Sequence, residues 1–490
     1  MPSRPGCLLA LLLPLLIAAT PPERDWGATL RQDAQALHDD LAANHPGPVN
    51  PEDPDFAPRN RAQLRLALER AATARSFAAY FSAMRAYVAS FDDGHLDFGV
   101  YGNTPPTQWP GFLTHYEADG EQRVAARAED APVPLGARLV GCDGRPAEEL
   151  AEANVGRFVG RWTLLSQRLA YGNGLFADDG NPYLRRPTRC TFEAAGRKQD
   201  VTLRWRPINL GELIGKMREM RAHPAREIAA RRLEDGTSWI ALGSFEGDSK
   251  SPSGQALASV IAALRADREA LAAAPAIVLD LRANTGGSSD WPRQIAEILW
   301  GRSALSRLPP DTARVDWRVS EANLASLRES RERQIAGGAL SPAMRRWFDR
   351  VTGGIEGALA RGETLWREPE DEGEPAAEAA PKTARPRLKG PVYFVTDAGC
   401  ASACLDAVDL WRALGAVHVG QTTSADTFYM DIRMRRLPSR LGAIVVPMKV
   451  YRGRKRGSNQ PVAPVHAYAG DISATPALER WIAALPERRR

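Results

Sequence analysis

The chain has 490 residues, a formal net charge of +5, and 44% hydrophobic against 25% charged residues. That length exceeds one ordinary core and predicts two to four domains, and the composition is that of a soluble globular protein. Acids are interspersed among the bases and no basic stripe carries interleaved aromatics, which leaves nucleic acid unsupported as a partner; Arg488, Arg489 and Arg490 read as a solvated tail.

In chain order, Arg4 precedes an apolar run over 7–19, followed by the small residues Ala18, Ala19 and Thr20 and then Pro21 and Pro22. Charged, apolar and small residues in that order predict a secretory signal over 1–20, too short to span a bilayer comfortably. An uncleaved anchor is the competing reading. Cys7 stands at the start of the apolar run rather than after it, which argues against a lipid-anchored cysteine. The expected product is exported, periplasmic or extracellular, with no other membrane contact. Residues 21–92 follow as an N-terminal helical domain, with apolar positions such as Leu64, Ala67, Leu68 and Ala71 at helical spacing and a break at Pro46, Gly47, Pro48 and Pro51.

Between 104 and 207 short apolar runs are bounded by turn residues, and 200–205 alternates, which predicts a mainly β module. From 236 to 302 strands alternate with helical stretches, including the almost wholly apolar strand 276–281; after a looser insertion and linker at 303–388, the same α/β character resumes over 389–487. Without Cys7, four cysteines remain. An even number in an oxidising compartment permits two disulfides, and the natural local pairing is Cys142 with Cys190 and Cys400 with Cys404. The second pair needs Cα atoms within about 7 Å, which a turn entering a helix supplies; two packed thiols are the alternative. The spacings do not suit a zinc site, and no metal or cofactor is expected.

Three places carry catalytic grammar. Ser402 lies between Ala401 and Ala403, where the apolar strand 392–395 meets a helical stretch. Small neighbours there admit a carbonyl, and first-turn N–H groups stabilise an oxyanion, although serine also caps helices in such places. Gly286 and Gly287 end the buried strand containing Asp280, where glycines free backbone N–H groups for a ligand or simply make a turn. His95 stands on the turn Asp93-Gly94-His95, a setting for a general base or for a structural histidine.

In order, the Asp93-Gly94-His95 turn, the 139–144 segment, the strand running to Gly287 and Ser402-Ala403 resemble the tail-specific (C-terminal processing) serine peptidases, including their tricorn-core branch, over about 90–480. The resemblance implies an α/β fold with a crotonase-like spiral core and a PDZ-like module at 104–207 that receives an extended peptide by strand addition. It implies a serine-type endopeptidase acting on peptides or proteins: Ser402 as nucleophile, His95 as general base, and the Gly287 and Ala403 N–H groups as oxyanion hole. A serine–lysine dyad is not expected, because no lysine occurs between Ser402 and Arg440 and Lys449 is the first afterwards. Where the histidine branch carries a C-terminal glutamate this chain offers Gln460, whose carbonyl can orient imidazole; Asp97, Asp426 and Asp431 are the fallback acids. The missing acid sustains an alternative, a catalytically impaired peptide-binding relative of the same fold. A non-peptide ester or retinoid-like ligand is a third substrate class, since fold does not fix function.

Overall fold

The strands Ile277–Asp280 and Val392–Thr396 lie parallel at the centre of a six-stranded sheet in the computed structural model, which describes residues 24–102, 106–117, 119–220, 226–309, 312–336, 342–369 and 388–489. The expected signal at 1–20 and the Glu-, Pro- and Ala-rich residues 370–387 lie outside the described residues. The sheet runs Ile228–Arg232, Ser238–Leu242, Ile277–Asp280, Val392–Thr396, Val417–Gly420, His466–Ala467, parallel throughout except for its first pair. Both faces are covered, which is why the central strands are buried at every position and mostly apolar rather than alternating. On one face the helices Pro252–Ala266, Asp290–Leu299 and Ala403–Ala413 pack through Leu257, Ile295, Leu405 and Trp411; on the other, Thr475–Ala483 packs through Leu478 and Ile482.

A second, antiparallel sheet takes Phe112–Tyr116, Gln122–Arg127, Arg138–Cys142, Arg189–Ala194 and Arg197–Thr202 in that order around its own buried cluster. Cys142 stands opposite Cys190 in the register and is disulfide-bonded to it.

The three N-terminal helices, Trp26–Asn44, Phe56–Ala71 and Phe77–Ala89, do not close a core of their own. Asp25 and Ser76 cap the first and third by accepting from Ala28 and Ala79 N–H. Leu37, Phe56, Tyr80 and Tyr87 then pack with Phe98, Ile444, Val446 and Val450 from a five-stranded sheet. That sheet joins Asp97–Val100 to Gly442–Arg452, with Tyr429–Arg436, Arg314–Arg318 and Leu365–Arg367 beside it. Residues 303–388, expected as a loose insertion and linker, contribute two of those strands and the helices Glu321–Ala336 and Pro342–Ala360. Among the described residues no helix is long and apolar enough to cross a membrane.

Candidate active site

Ser402 stands after the carboxyl end of Val392–Thr396 and directly before Ala403–Ala413. Its backbone has φ +55° and ψ −128°, a conformation that costs a residue with a Cβ about 1–3 kcal/mol and persists only where its surroundings impose it. The surroundings are specific. The Ser402 N–H donates to both oxygens of Asp426, at 3.1 and 3.0 Å. Cys400 and Cys404 are disulfide-bonded across the turn. Although Ser402 occupies the N-cap position, its hydroxyl makes no capping hydrogen bond, so the helix does not use it. The strained backbone and the uncommitted hydroxyl separate this residue from an ordinary cap.

The glycine pair fits against the same turn. A Cβ on Gly286 would lie 2.6 Å from the Ser402 Cβ, and one on Gly287 would lie 1.9 Å from the Phe245 carbonyl oxygen. Both have positive φ, +104° and +133°. Asn284 shapes this loop: its amide donates to the Leu242 carbonyl at 2.6 Å and its Oδ1 accepts from Gly286 N–H at 2.8 Å. Asp397 joins the two loops by accepting from Ala283 N–H and Gly399 N–H, and burial pushes its carboxyl up. Among the described residues, neither the Gly287 nor the Ala403 N–H has a protein acceptor. Two such donors flanking a serine suit a developing oxyanion.

His95 occupies a turn set by Asp93, whose Oδ1 accepts from His95 N–H at 2.9 Å and from the Thr427 hydroxyl at 2.8 Å. The His95 side chain is 21% exposed, and its Nδ1 lies 3.8 Å from Asp93 Oδ1. Behind Asp93 lies the fully buried His45, with Nε2 3.9 Å from Asp93 Oδ2. His45 Nδ1 accepts from Gly47 N–H at 2.9 Å, which leaves the proton on Nε2, facing the carboxylate. Burial holds His45 below the ordinary histidine range. Burial alone would raise Asp93, but the two histidines hold its carboxyl below the usual range.

The two turns meet on one loop. Asp426 holds the Ser402 backbone, and its chain neighbour Thr427 holds Asp93. Asn459 ties the same places, donating its N–H to the Asp426 carbonyl and its side-chain amide to the Asp92 carbonyl. Arg161 adds a third tie, from its N–H to Asp92 Oδ1 and from its guanidinium to the Ala425 carbonyl.

The other orienters read from sequence are engaged elsewhere. Gln460 is exposed and its Oε1 accepts from Gly457 N–H at 2.8 Å. Asp97 accepts from Phe98 N–H and faces Arg85. Asp431 pairs with Lys449 at 3.0 Å. Burial alone would lower the Lys449 ammonium, but Asp431 and Tyr451 hold it above the usual lysine range, which unsuits it as a base. Sequence reading missed His45, Thr427 and Arg161, and it listed Asp426 for a different task. Among the described residues no group of three or more His, Cys, Asp or Glu is placed to hold a metal.

No family model and no curated protein matches the sequence. Solved structures do. Mature CPAF aligns with a TM-score of 0.57 at 12% identity, covering 93% of this chain and 96% of its own. The chain has the CPAF fold. Mature CPAF complexed with lactacystin gives a TM-score of 0.55 at 13% identity over 93% of this chain and 98% of that one. A serine-to-alanine mutant of CPAF also gives 0.55, at 12% identity, over 93% and 96%. At these identities the likeness establishes a mixed α/β architecture shared over nearly the whole chain.

Proposed function

We propose that the chain is an exported serine endopeptidase related to the tail-specific peptidases, with Ser402 as nucleophile and His95 as general base. The observation that carries this reading is the Ser402 turn: positive φ, a hydroxyl unused as a cap, and a backbone tied through Asp426 and Thr427 to the turn that bears His95. In the reaction His95 Nε2 takes the hydroxyl proton as Ser402 Oγ bonds to the substrate carbonyl carbon. The Gly287 and Ala403 N–H groups receive the developing oxyanion, each donor contributing about 3 kcal/mol. The protonated imidazole then gives its proton to the departing amine, and water resolves the acyl-enzyme through the same base.

On this reading the parallel sheet with its helices is the crotonase-like core, residues 104–207 are the PDZ-like peptide-receiving module, and 1–20 directs export. The disulfides Cys142–Cys190 and Cys400–Cys404 support an oxidising compartment. The competing reading, peptide binding without turnover, draws on the occupied Gln460 carbonyl.

Covalent labelling separates the two. A fluorophosphonate probe should label the wild-type protein, leave Ser402→Ala unlabelled and label His95→Ala far more slowly. CPAF has been solved with lactacystin, which makes that compound a second probe of Ser402. A wild-type protein that stays unlabelled from mildly acidic to mildly basic pH would refute the peptidase reading.

A further inference from the structure

We propose that Asp93, backed by His45, is the positioning carboxylate for the His95 imidazole, in place of an acid from the C-terminal part of the chain. This rests on the peptidase reading of Ser402 and His95 and assigns the missing third member of that site.

The case begins with three buried atoms that have no hydrogen-bond partner: His95 Nδ1, Asp93 Oδ2 and His45 Nε2. They belong to one array, with imidazole nitrogens 3.8 and 3.9 Å from the two oxygens of a single carboxylate. Leaving buried polar atoms unpaired costs about 1–3 kcal/mol each, so an arrangement that gathers three around one carboxylate calls for a purpose. The Asp93 side chain is 3% exposed and that of His45 is not exposed at all. The array is therefore built into the fold rather than formed by mobile surface groups.

The alternatives for orienting His95 are spent: both oxygens of Asp426 hold Ser402 N–H, and Asp97, Asp431 and Gln460 are occupied as described. Asp93 differs in keeping its charge beside the ring: Oδ1, 3.8 Å from His95 Nδ1, accepts only from the His95 N–H and the Thr427 hydroxyl, and Oδ2, which faces His45, has no hydrogen-bond partner. The gaps of 3.8 and 3.9 Å exceed direct hydrogen bonds and match sites that tighten when the transition state forms or that bridge through one water. The role of His45 follows from its tautomer. Its Nδ1 is committed to Gly47 N–H, so its Nε2–H presents a neutral donor to Asp93 Oδ2 and leaves the negative charge to face His95. Asp93 then fixes the His95 tautomer with Nδ1 protonated and Nε2 free to accept the serine proton, and it stabilises the imidazolium.

The test is Asp93→Asn, which keeps an oxygen to accept from His95 N–H and Thr427 but removes the charge. Inactivation by a fluorophosphonate is followed over a range of probe concentrations. The maximal rate is expected to fall about 100-fold while the half-saturating concentration holds, the signature of a lost proton-transfer contribution rather than lost binding. His45→Gln, whose amide can still face Asp93, is expected to fall less. Unchanged maximal rates in a folded Asp93→Asn protein overturn the proposal and leave the Ser402 reading standing; an unlabelled wild type overturns both. Where Asp93→Asn does not fold, the crystal structure of the wild-type phosphonylated adduct decides. Nδ1–H of His95 donating to Asp93, directly or through one water, upholds the assignment, and any other acceptor overturns it.

Discussion

Replacing Ser402 by glycine is expected to yield a protein more stable than the alanine variant, although both lose the proposed nucleophile. The φ of +55° with ψ of −128° is imposed on a residue with a Cβ, and the serine and alanine side chains suffer it equally. Such a conformation costs about 1–3 kcal/mol, and glycine is free of that cost. Against this, glycine loses about 0.5–1 kcal/mol more backbone entropy on folding. The hydroxyl makes no capping bond, so neither variant forfeits one. The difference is a gain for glycine over alanine of about 0–2.5 kcal/mol. Equilibrium urea unfolding of Ser402→Gly and Ser402→Ala, with disulfides intact, measures it as a higher midpoint for glycine. A glycine variant less stable than alanine would show that the turn is not strained, and the main physical distinction between Ser402 and an ordinary cap would be lost.

Gly286→Ala brings a methyl 2.6 Å from the Ser402 Cβ at a backbone φ of +104°; it should destabilise by about 2–4 kcal/mol and abolish probe labelling, read by urea midpoints and gel fluorescence. The disulfides differ in the length of chain they close, 48 residues against four. Loop entropy then gives a loss of about 4 kcal/mol for Cys142→Ser with Cys190→Ser and about 2 kcal/mol for Cys400→Ser with Cys404→Ser, and denaturation midpoints in the reverse order would contradict it. Buried His418 donates from Nε2 to the Thr396 hydroxyl, which itself donates to the Gln421 carbonyl, and burial with Arg412 nearby lowers His418 to about 3. The unfolded chain binds that proton near pH 6.5 and the folded one does not, so the contribution of His418 to stability falls as pH drops from 6.5 towards 3. At pH 5 the loss is about 2 kcal/mol. Wild type should therefore be more acid-sensitive than His418→Gln between pH 7 and 5, and parallel stability curves would remove His418 from the account.

Local features were legible in the sequence because their cause is local. The apolar strand before Ser402, the glycine pair and the four cysteines each declare a backbone requirement within a few residues, and both cysteine pairs form as expected. What holds the candidate site together left no such trace. Thr427 reaches Asp93 across 334 residues and Asn459 reaches Asp92 across 367, separations at which no periodicity connects the partners. His45 reads as any histidine after a helix until its ring is found beneath Asp93. Gln460 was placed by analogy of position, and its own turn with Gly457 claims the carbonyl. The helix Glu321–Ala336 was obscured for a different reason. It spreads charge around its circumference and buries only Asn323, Leu324 and Leu327, so its apolar pattern is faint.

The core shared between the N-terminal helices and the strands near the C-terminus bears on the order of events during folding. Tyr429 must reach Asn50, 379 residues earlier, and Ser439 must reach Asp33, 406 residues earlier, before those helices have a surface to rest on. Contacts this distant form late, after nearer ones have reduced the cost of closing the chain. The turn with His95 and the turn with Ser402 are braced by that same late region, through Thr427 and Asp426. A chain whose C-terminal strands have not yet formed therefore holds a histidine and a serine that have not yet met. On the proposed peptidase reading, a hydrolase assembled in this way stays silent until its C-terminal strands are in place.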